Sequence, residues 1–217
     1  MFTKYGYATL GIVSIIAFVL ISMSFFVHNN YFKYTLIILP LLLLIFSFNF
    51  FRDPGRIPPK EDNAVVSPAD GTVLFVKEVL ENKYLKGKAY QVSIFMSPLN
   101  VHVNRIPVSG KVEYVKYFEG QYIAAFEDKA SEVNERSEFG INSKYGKVFF
   151  TQVAGFIARR IVYDIKEGDT VQIGNRFGMI KFGSRVDVVV PLECIVKIKK
   201  DDKVTAGETV LFEFPKK

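Results

Sequence analysis

The chain has 217 residues, 49% of them hydrophobic, and a formal net charge of +6, a size that suits one or two domains and can bury a core. One cysteine, Cys194, excludes an internal disulfide, and with only His28 and His102 as histidines the chain is short of ligands for a zinc site. Of the 28 basic residues only Lys4 and Lys33 precede residue 52, and the others are dispersed among 22 acidic residues; this mild basicity suits an anionic membrane surface and argues against nucleic acid as a partner.

Residues 10–27 and 34–51 are uncharged apolar runs separated by the polar segment 28–33 (HNNYFK). Each is about 18 residues long, near the lower end of what crosses a hydrocarbon core of about 30 Å. Together they predict a transmembrane helical hairpin over residues 1–51, with every backbone group bonded internally and Pro40 tolerated as a kink. No small-residue cleavage site follows the first run, so a cleaved signal peptide is the poorer reading. Lys4 flanks one end, Arg52, Arg56 and Lys60 flank the other, and the loop holds only Lys33. The positive-inside rule then puts both ends and the soluble domain on the cytoplasmic side of the cell membrane. A re-entrant or surface-lying hairpin is the alternative.

Residues 52–63, with prolines at 54, 58 and 59, read as a linker. Residues 64–217 read as a β-rich domain. Strands are expected at 65–66, 72–79, 90–96, 111–118, 147–153, 157–163, 187–190, 194–198 and 209–214, all short, rich in β-branched and aromatic residues and bounded by turn formers. The polar, charged stretch 124–137 is the one segment that could be helical or disordered, and reads as a loop rather than core. Residues 165–174 (IKEGDTVQIG) and 198–207 (IKKDDKVTAG) share one pattern of apolar residue, charged turn, Val and Gly. Turns of this kind recur in barrel-sandwich domains such as those carrying lipoyl groups, so the fold expected is mostly β, a barrel-sandwich with an N-terminal two-helix hairpin.

Gly183-Ser184 is the only Gly-Ser step in the chain. A serine hydroxyl lies within reach of the preceding carbonyl, and glycine allows the backbone geometry that exposes it. Attack requires a proton acceptor, for which histidine is suited near neutral pH, and a carboxylate to stabilise the imidazolium. His102 and Asp70 are the candidates; on local spacing alone Asp70 also reads as a turn residue. In an extended strand His102 and Asn104 share a side and Arg105 takes the other.

Five segments in order, 51–56 (FRDPGR), 67–71 (SPADG), 95–107 (FMSPLNVHVNRIP), 154–160 (AGFIARR) and 177–184 (FGMIKFGS), resemble the phosphatidylserine decarboxylase family in its short, type A branch. The resemblance implies a proenzyme that cuts itself between Gly183 and Ser184, turning Ser184 into a pyruvoyl group. It also implies that the large and small chains remain associated, with strands on both sides of the cut sharing one sheet. The pyruvoyl ketone would form a Schiff base with the amine of a membrane lipid, phosphatidylserine or a related serine-headed lipid, and take up the electrons released with carbon dioxide. No metal and no pyridoxal phosphate would then be needed. Ser184, His102 and Asp70 would be catalytic, with Asn104, Arg105, Arg159 and Arg160 as substrate-binding candidates. Arg105 stands where other branches carry a second histidine, and Arg185 replaces a threonine after the cut. An uncut, membrane-anchored lipoyl-like scaffold and a pyruvoyl decarboxylase of another amine are the competing readings. Lipid tail type and homo-oligomerisation are not specified by the sequence.

Overall fold

In the computed structural model, residues 1–124, 130–155, 160–181 and 184–216 are described. The chain forms two compact units, Met1–Gly55 and Arg56–Lys217. In the first, helices α1 (Tyr7–Ser24) and α2 (Asn30–Phe50) form a hairpin. Both are long and apolar enough to cross a membrane, with mean hydropathy 2.1 over Lys4–Ser24 and 2.0 over Asn30–Phe50. Ile12, Phe18, Leu39 and Ile45 are exposed, the surface a helix presents to lipid. The expected polar joint 28–33 is shorter in fact. Asn29 Oδ1 accepts the Phe32 N–H at 3.2 Å, capping α2, so that residues 30–33 become its first turn. The open end is tied by the Thr3 N–H to the Phe51 carbonyl at 3.0 Å and the Asp53 N–H to the Met1 carbonyl at 2.8 Å.

The second unit is built of strands: β1 (Ala64–Val66), β2 (Gly71–Glu81), β3 (Gly87–Met96), β4 (Val103–Arg105), β5 (Gly110–Phe118), β6 (Arg136–Asn142), β7 (Lys147–Ala154), β8 (Arg160–Tyr163), β9 (Thr170–Val171), β10 (Arg176–Lys181), β11 (Ser184–Pro191), β12 (Ile195–Val196), β13 (Lys203–Val204) and β14 (Val210–Glu213). An eight-stranded antiparallel sheet, in order β13-β2-β3-β11-β7-β6-β5-β9, curls into half a barrel. Two small sheets, β1-β14-β12 and β4-β10-β8, accompany it. The fold is thus mostly β, as the sequence leads one to expect. Inward residues Val92, Ile94, Val148, Phe150, Val186 and Val188 meet Phe139, Phe177, Leu211 and Phe212 in one core. Burying each such side chain stabilises the fold by about 1.5–3 kcal/mol before entropy is counted.

The two similar turn segments are the visible part of an internal twofold repeat. The Lys166 N–H donates to Asp169 Oδ2 and the Lys199 N–H to Asp202 Oδ2, both at 2.9 Å. Each segment ends on a glycine with positive φ, +77° at Gly174 and +76° at Gly207, a conformation that favours glycine. Their N–H groups donate to the carbonyls of Ile106 at 2.9 Å and Ser67 at 2.7 Å. Likewise the Val66 N–H reaches the Pro107 carbonyl and the Arg105 N–H the Pro68 carbonyl, both at 2.9 Å. The repeat explains why β13 and β9 lie at opposite edges of the large sheet.

Several expectations need correction. Of the stretch 124–137, residues 125–129 lie outside the described set, and the rest is not a loop: Ala130–Val133 is one helical turn and Arg136 opens β6. Its polar residues are turned inward. Asn134 is buried, and its Nδ2 donates to the carbonyls of Ile123 at 2.9 Å and Ala154 at 2.7 Å. Strands β4, β6, β9, β10 and β13 were not expected. Of the strand expected at 157–163, residues 157–159 lie outside the described set. The strands that immediately flank the expected cut lie in different sheets, β10 with β4 and β8 and β11 with β3 and β7, but strands of 1–183 and of 184–217 do share the large sheet, as expected.

On the outer face of β11, Arg185 and Asp187 form an ion pair that is 1% and 4% exposed, with Nε to Oδ1 at 2.7 Å. Nη2 donates to Oδ2 at 3.0 Å and Ser93 Oγ to Oδ1 at 2.5 Å. Removing the carboxylate strands a guanidinium in the interior. Asp187→Ala is expected to lower stability by about 3 kcal/mol, read as a lower urea midpoint with unchanged slope by circular dichroism of the detergent-solubilised chain.

Candidate active site

Ser184 is the first residue of β11, fully buried, with Met96 of β3 opposite on one side and Ala154 of β7 on the other. Between Lys181 and Ser184 the chain leaves the small sheet β4-β10-β8 and enters the large one. Gly183, the other half of the expected cleavage site, lies outside the described residues, as does Arg159. Ser184 Oγ donates to Met96 Sδ at 3.4 Å. The same sulfur accepts a contact from Asn104 Nδ2 at 3.7 Å, and Asn104 Nδ2 also donates to the Pro68 carbonyl at 3.3 Å. Asn104 Oδ1 accepts from Gln152 Nε2 at 2.7 Å. A buried line of polar groups therefore runs from Ser184 through Met96 and Asn104 to Gln152.

His102, fully buried, precedes β4. Its Nδ1 lies 3.0 Å from the carbonyl oxygen of Asn100. A carbonyl only accepts, so Nδ1 carries the proton and Nε2 is the basic nitrogen, the tautomer a general base needs. Asp70 lies just before β2. Its Oδ2 accepts from Arg56 Nη2 and its Oδ1 from the Ala206 N–H, both at 2.8 Å. In the other half of the repeat the equivalent bond runs from the Ile173 N–H to Ser109 Oγ at 2.9 Å. The contact to Ala206 is therefore a feature of the fold, and the carboxylate with its Arg56 partner is what this half adds. Next to it, a Cβ at Gly71 would stand 2.2 Å from the Phe95 carbonyl oxygen, so the close approach of β2 to β3 requires glycine.

Arg105 is buried, and its Nη1 donates to the Gly174 carbonyl at 2.9 Å. Arg160 is exposed on the edge strand β8 and stands directly opposite Lys181 of β10. Burial, and secondly the Arg160 charge, holds the Lys181 amine below its ordinary range. Two cations facing each other across strands repel, and an anion between them offsets that repulsion. A cavity of about 360 Å³ lined in part by Lys77, Glu138, Asp187 and Val189 lies elsewhere. Asp187 and Val189 alternate with Ser184, Val186 and Val188 along β11, so this cavity is on the opposite face of the sheet. Among the described residues no group of His, Cys, Asp and Glu is placed to hold a metal ion.

Met96, Gln152 and Ser137 were not singled out by the sequence. The available signal was Gln152, an amide at an inward position of β7, where its neighbours of the same face are Val148, Phe150 and Ala154.

A family model described as phosphatidylserine decarboxylase matches residues 43–212. A protein from Pelodictyon phaeoclathratiforme named phosphatidylserine decarboxylase proenzyme is 44% identical, over 99% of this chain and 100% of that relative. Proteins of the same name from Salinibacter ruber and Carboxydothermus hydrogenoformans are 50% and 49% identical, over 79% and 80% of this chain and 77% and 82% of their own lengths. The fold and the match together define a carboxy-lyase with an apolar helical hairpin at its N-terminus. The chain belongs to the phosphatidylserine decarboxylase family, and its length fits the short branch.

Asn104 satisfies the Pro68 carbonyl and the Gln152 amide at once. Asn104→Ala leaves the buried Gln152 amide N–H without its acceptor, while the Pro68 carbonyl keeps the Arg105 N–H, and is expected to cost about 2 kcal/mol, measured as a lowered denaturation midpoint; an unchanged midpoint contradicts the buried network.

Proposed function

We propose that this chain is a membrane-bound, self-cleaving decarboxylase that converts phosphatidylserine to phosphatidylethanolamine. The observation that carries the reading is the full-length match to proteins named as proenzymes, joined to a buried Ser184 at the switch from one sheet to another.

In the first stage Ser184 Oγ attacks the Gly183 carbonyl while His102 Nε2 takes the hydroxyl proton. The peptide C–N bond breaks as the new ester C–O bond forms, and the nitrogen regains a proton. Loss of the Ser184 α-proton then expels the Gly183 carboxylate, leaving a dehydroalanine. One water adds and one ammonia leaves, which converts residue 184 to a pyruvoyl group. The Asn100 carbonyl at Nδ1 holds His102 in the required tautomer, and a role for Asp70, which accepts from Arg56 and the Ala206 N–H, in supporting the imidazolium rests on the family resemblance alone. The residues fit this conversion, because burial of Ser184 keeps competing water from the acyl group.

The pyruvoyl ketone supplies an electron sink for the pair released when the carboxylate leaves as carbon dioxide. His102 returns a proton to the α-carbon. Arg160, with Arg159, holds the lipid phosphate, and Lys181 facing Arg160 strengthens the attraction for it. Asn104 is the substrate-side residue of β4, whereas the backbone bond of Arg105 gives it a supporting duty. After the cut, residues 184–217 stay attached through β11 between β3 and β7, β14 beside β1, and β13 beside β2. Both ends of the hairpin, tied together, carry the flanking positive charges and so face the cytoplasm.

The test is release of labelled carbon dioxide from carboxyl-labelled phosphatidylserine in detergent micelles. Ser184→Ala is expected to lose at least about a thousandfold in rate, and hydroxylamine, which captures the ketone, to abolish wild-type turnover. His102→Ala is expected to slow self-cleavage by about a hundredfold or more, seen as accumulation of uncut chain on a gel. Full turnover by Ser184→Ala or by hydroxylamine-treated enzyme contradicts the reading and favours another chemistry; an inactive chain that is never cut favours the scaffold.

A further inference from the structure

Two buried polar atoms on the face of the sheet that carries Ser184 have no hydrogen-bond partner among the described residues: Gln152 Oε1 and Ser137 Oγ. Both residues are fully buried. They are direct partners across β7 and β6, and Gln152 is also the direct partner of Val186 across β7 and β11. Ser184 pairs with Ala154, two residues along β7, so Gln152 and Ser184 are diagonal neighbours on one face of the sheet. Such neighbours lie about 7–8 Å apart, within the reach of a glutamine side chain.

The orientation of the Gln152 amide follows from its neighbour. Asn104 Nδ2 faces the Pro68 carbonyl and Met96 Sδ, which leaves Asn104 Oδ1 to accept from Gln152 Nε2. Gln152 Oε1 is therefore the end left over. A glycine makes the room: a Cβ at Gly178 of β10 would stand 3.2 Å from Gln152 Nε2 and 2.4 Å from the Val162 carbonyl oxygen. Leaving an amide oxygen buried without a donor costs about 1–3 kcal/mol, so the fold carries an acceptor that something else must satisfy.

The chemistry of the niche selects the occupant. Gln152 Oε1 only accepts, Met96 Sδ is a weak acceptor, and Ser137 Oγ both accepts and donates. A carboxylate would meet one donor, the Ser137 hydroxyl, and otherwise acceptors. A primary ammonium brings donors alone. We propose that Gln152 Oε1, with Ser137 Oγ, receives the amino group of the serine headgroup and holds it beside residue 184. This rests on the decarboxylase reading and adds the residues that orient the amine. Gln152 is a substrate-positioning residue bonded to Asn104, two residues from His102.

The test uses the full chain in phosphatidylserine micelles with Gln152→Met, which removes the oxygen at similar length, and Gln152→Glu, which keeps an oxygen there. Two mass readouts are taken on residues 184–217: addition of hydroxylamine, which reports the ketone, and the covalent lipid adduct fixed by cyanoborohydride, which reports delivery of the amine. Hydroxylamine addition is expected in all three proteins. The lipid adduct is expected to form at least about tenfold more slowly in Gln152→Met and within about threefold of wild type in Gln152→Glu. Any other pattern in the variants overturns the proposal: an adduct at the wild-type rate in Gln152→Met means that the niche holds only water, and a joint loss in both variants makes Gln152 part of the scaffold. A wild-type chain that takes up no hydroxylamine overturns the decarboxylase reading, and this proposal with it.

Discussion

The structure depends on β11 being hydrogen-bonded on both sides, to β3 from Ser184 to Pro191 and to β7 from Ser184 to Val189. A strand in the middle of an antiparallel sheet cannot slip by one residue without turning its apolar face outward. Val186, Val188 and Val190 in the core and the Arg185–Asp187 pair on the other face fix that register from both sides. Ser184 is thereby held at one place, although it begins its strand. In the proposed maturation the same two ladders keep residues 184–217 in the fold once the chain before them is cut. Positioning the proposed nucleophile and retaining the small chain are then two consequences of one arrangement.

The twofold repeat shows how a site was set into this frame. Equivalent backbone bonds relate Val66 to Arg105 and Ser67 to Ile106, and the same spacing relates Val65 to Asn104, Asn63 to His102 and Ser109 to Asp70. In one half Val65 belongs to the apolar core; in the other the equivalent position holds the amide that reaches Met96 and Gln152. In one half a serine hydroxyl accepts the turn N–H, and in the other a carboxylate does so and gains Arg56. The scaffold bonds are shared, and the groups proposed to be reactive are the departures from symmetry. On that proposal, functional residues replace structural ones without changing the backbone that carries them.

Much of this was legible in the sequence because it rests on local pattern. The apolar runs marked the hairpin, alternation marked the long strands, and the similar turns marked the barrel-sandwich. The joint between the helices reads too long from sequence, because HNNYFK has polar residues at both its ends and only the cap at Asn29 shows where α2 starts. Strand β6 escapes the pattern because its charges are paired in the fold: Glu138, buried, accepts from Arg136 of the same strand at 3.0 Å and pairs with Lys83 of the turn between β2 and β3, a partner that local periodicity cannot reveal. Motif and chemistry single out Ser184, His102 and Asp70 as candidates. Gln152 escapes them, since an isolated glutamine in a strand acquires meaning only when Asn104, distant in sequence, is seen against it.

The most direct measurement is intact mass of the purified chain, followed by the mass of its smallest fragment. The mechanism requires two chains, 1–183 and 184–217, with the second lighter by one ammonia than the same peptide starting in serine. A single undivided chain of 24.7 kDa, or a small fragment with an ordinary serine at its N-terminus, would contradict it.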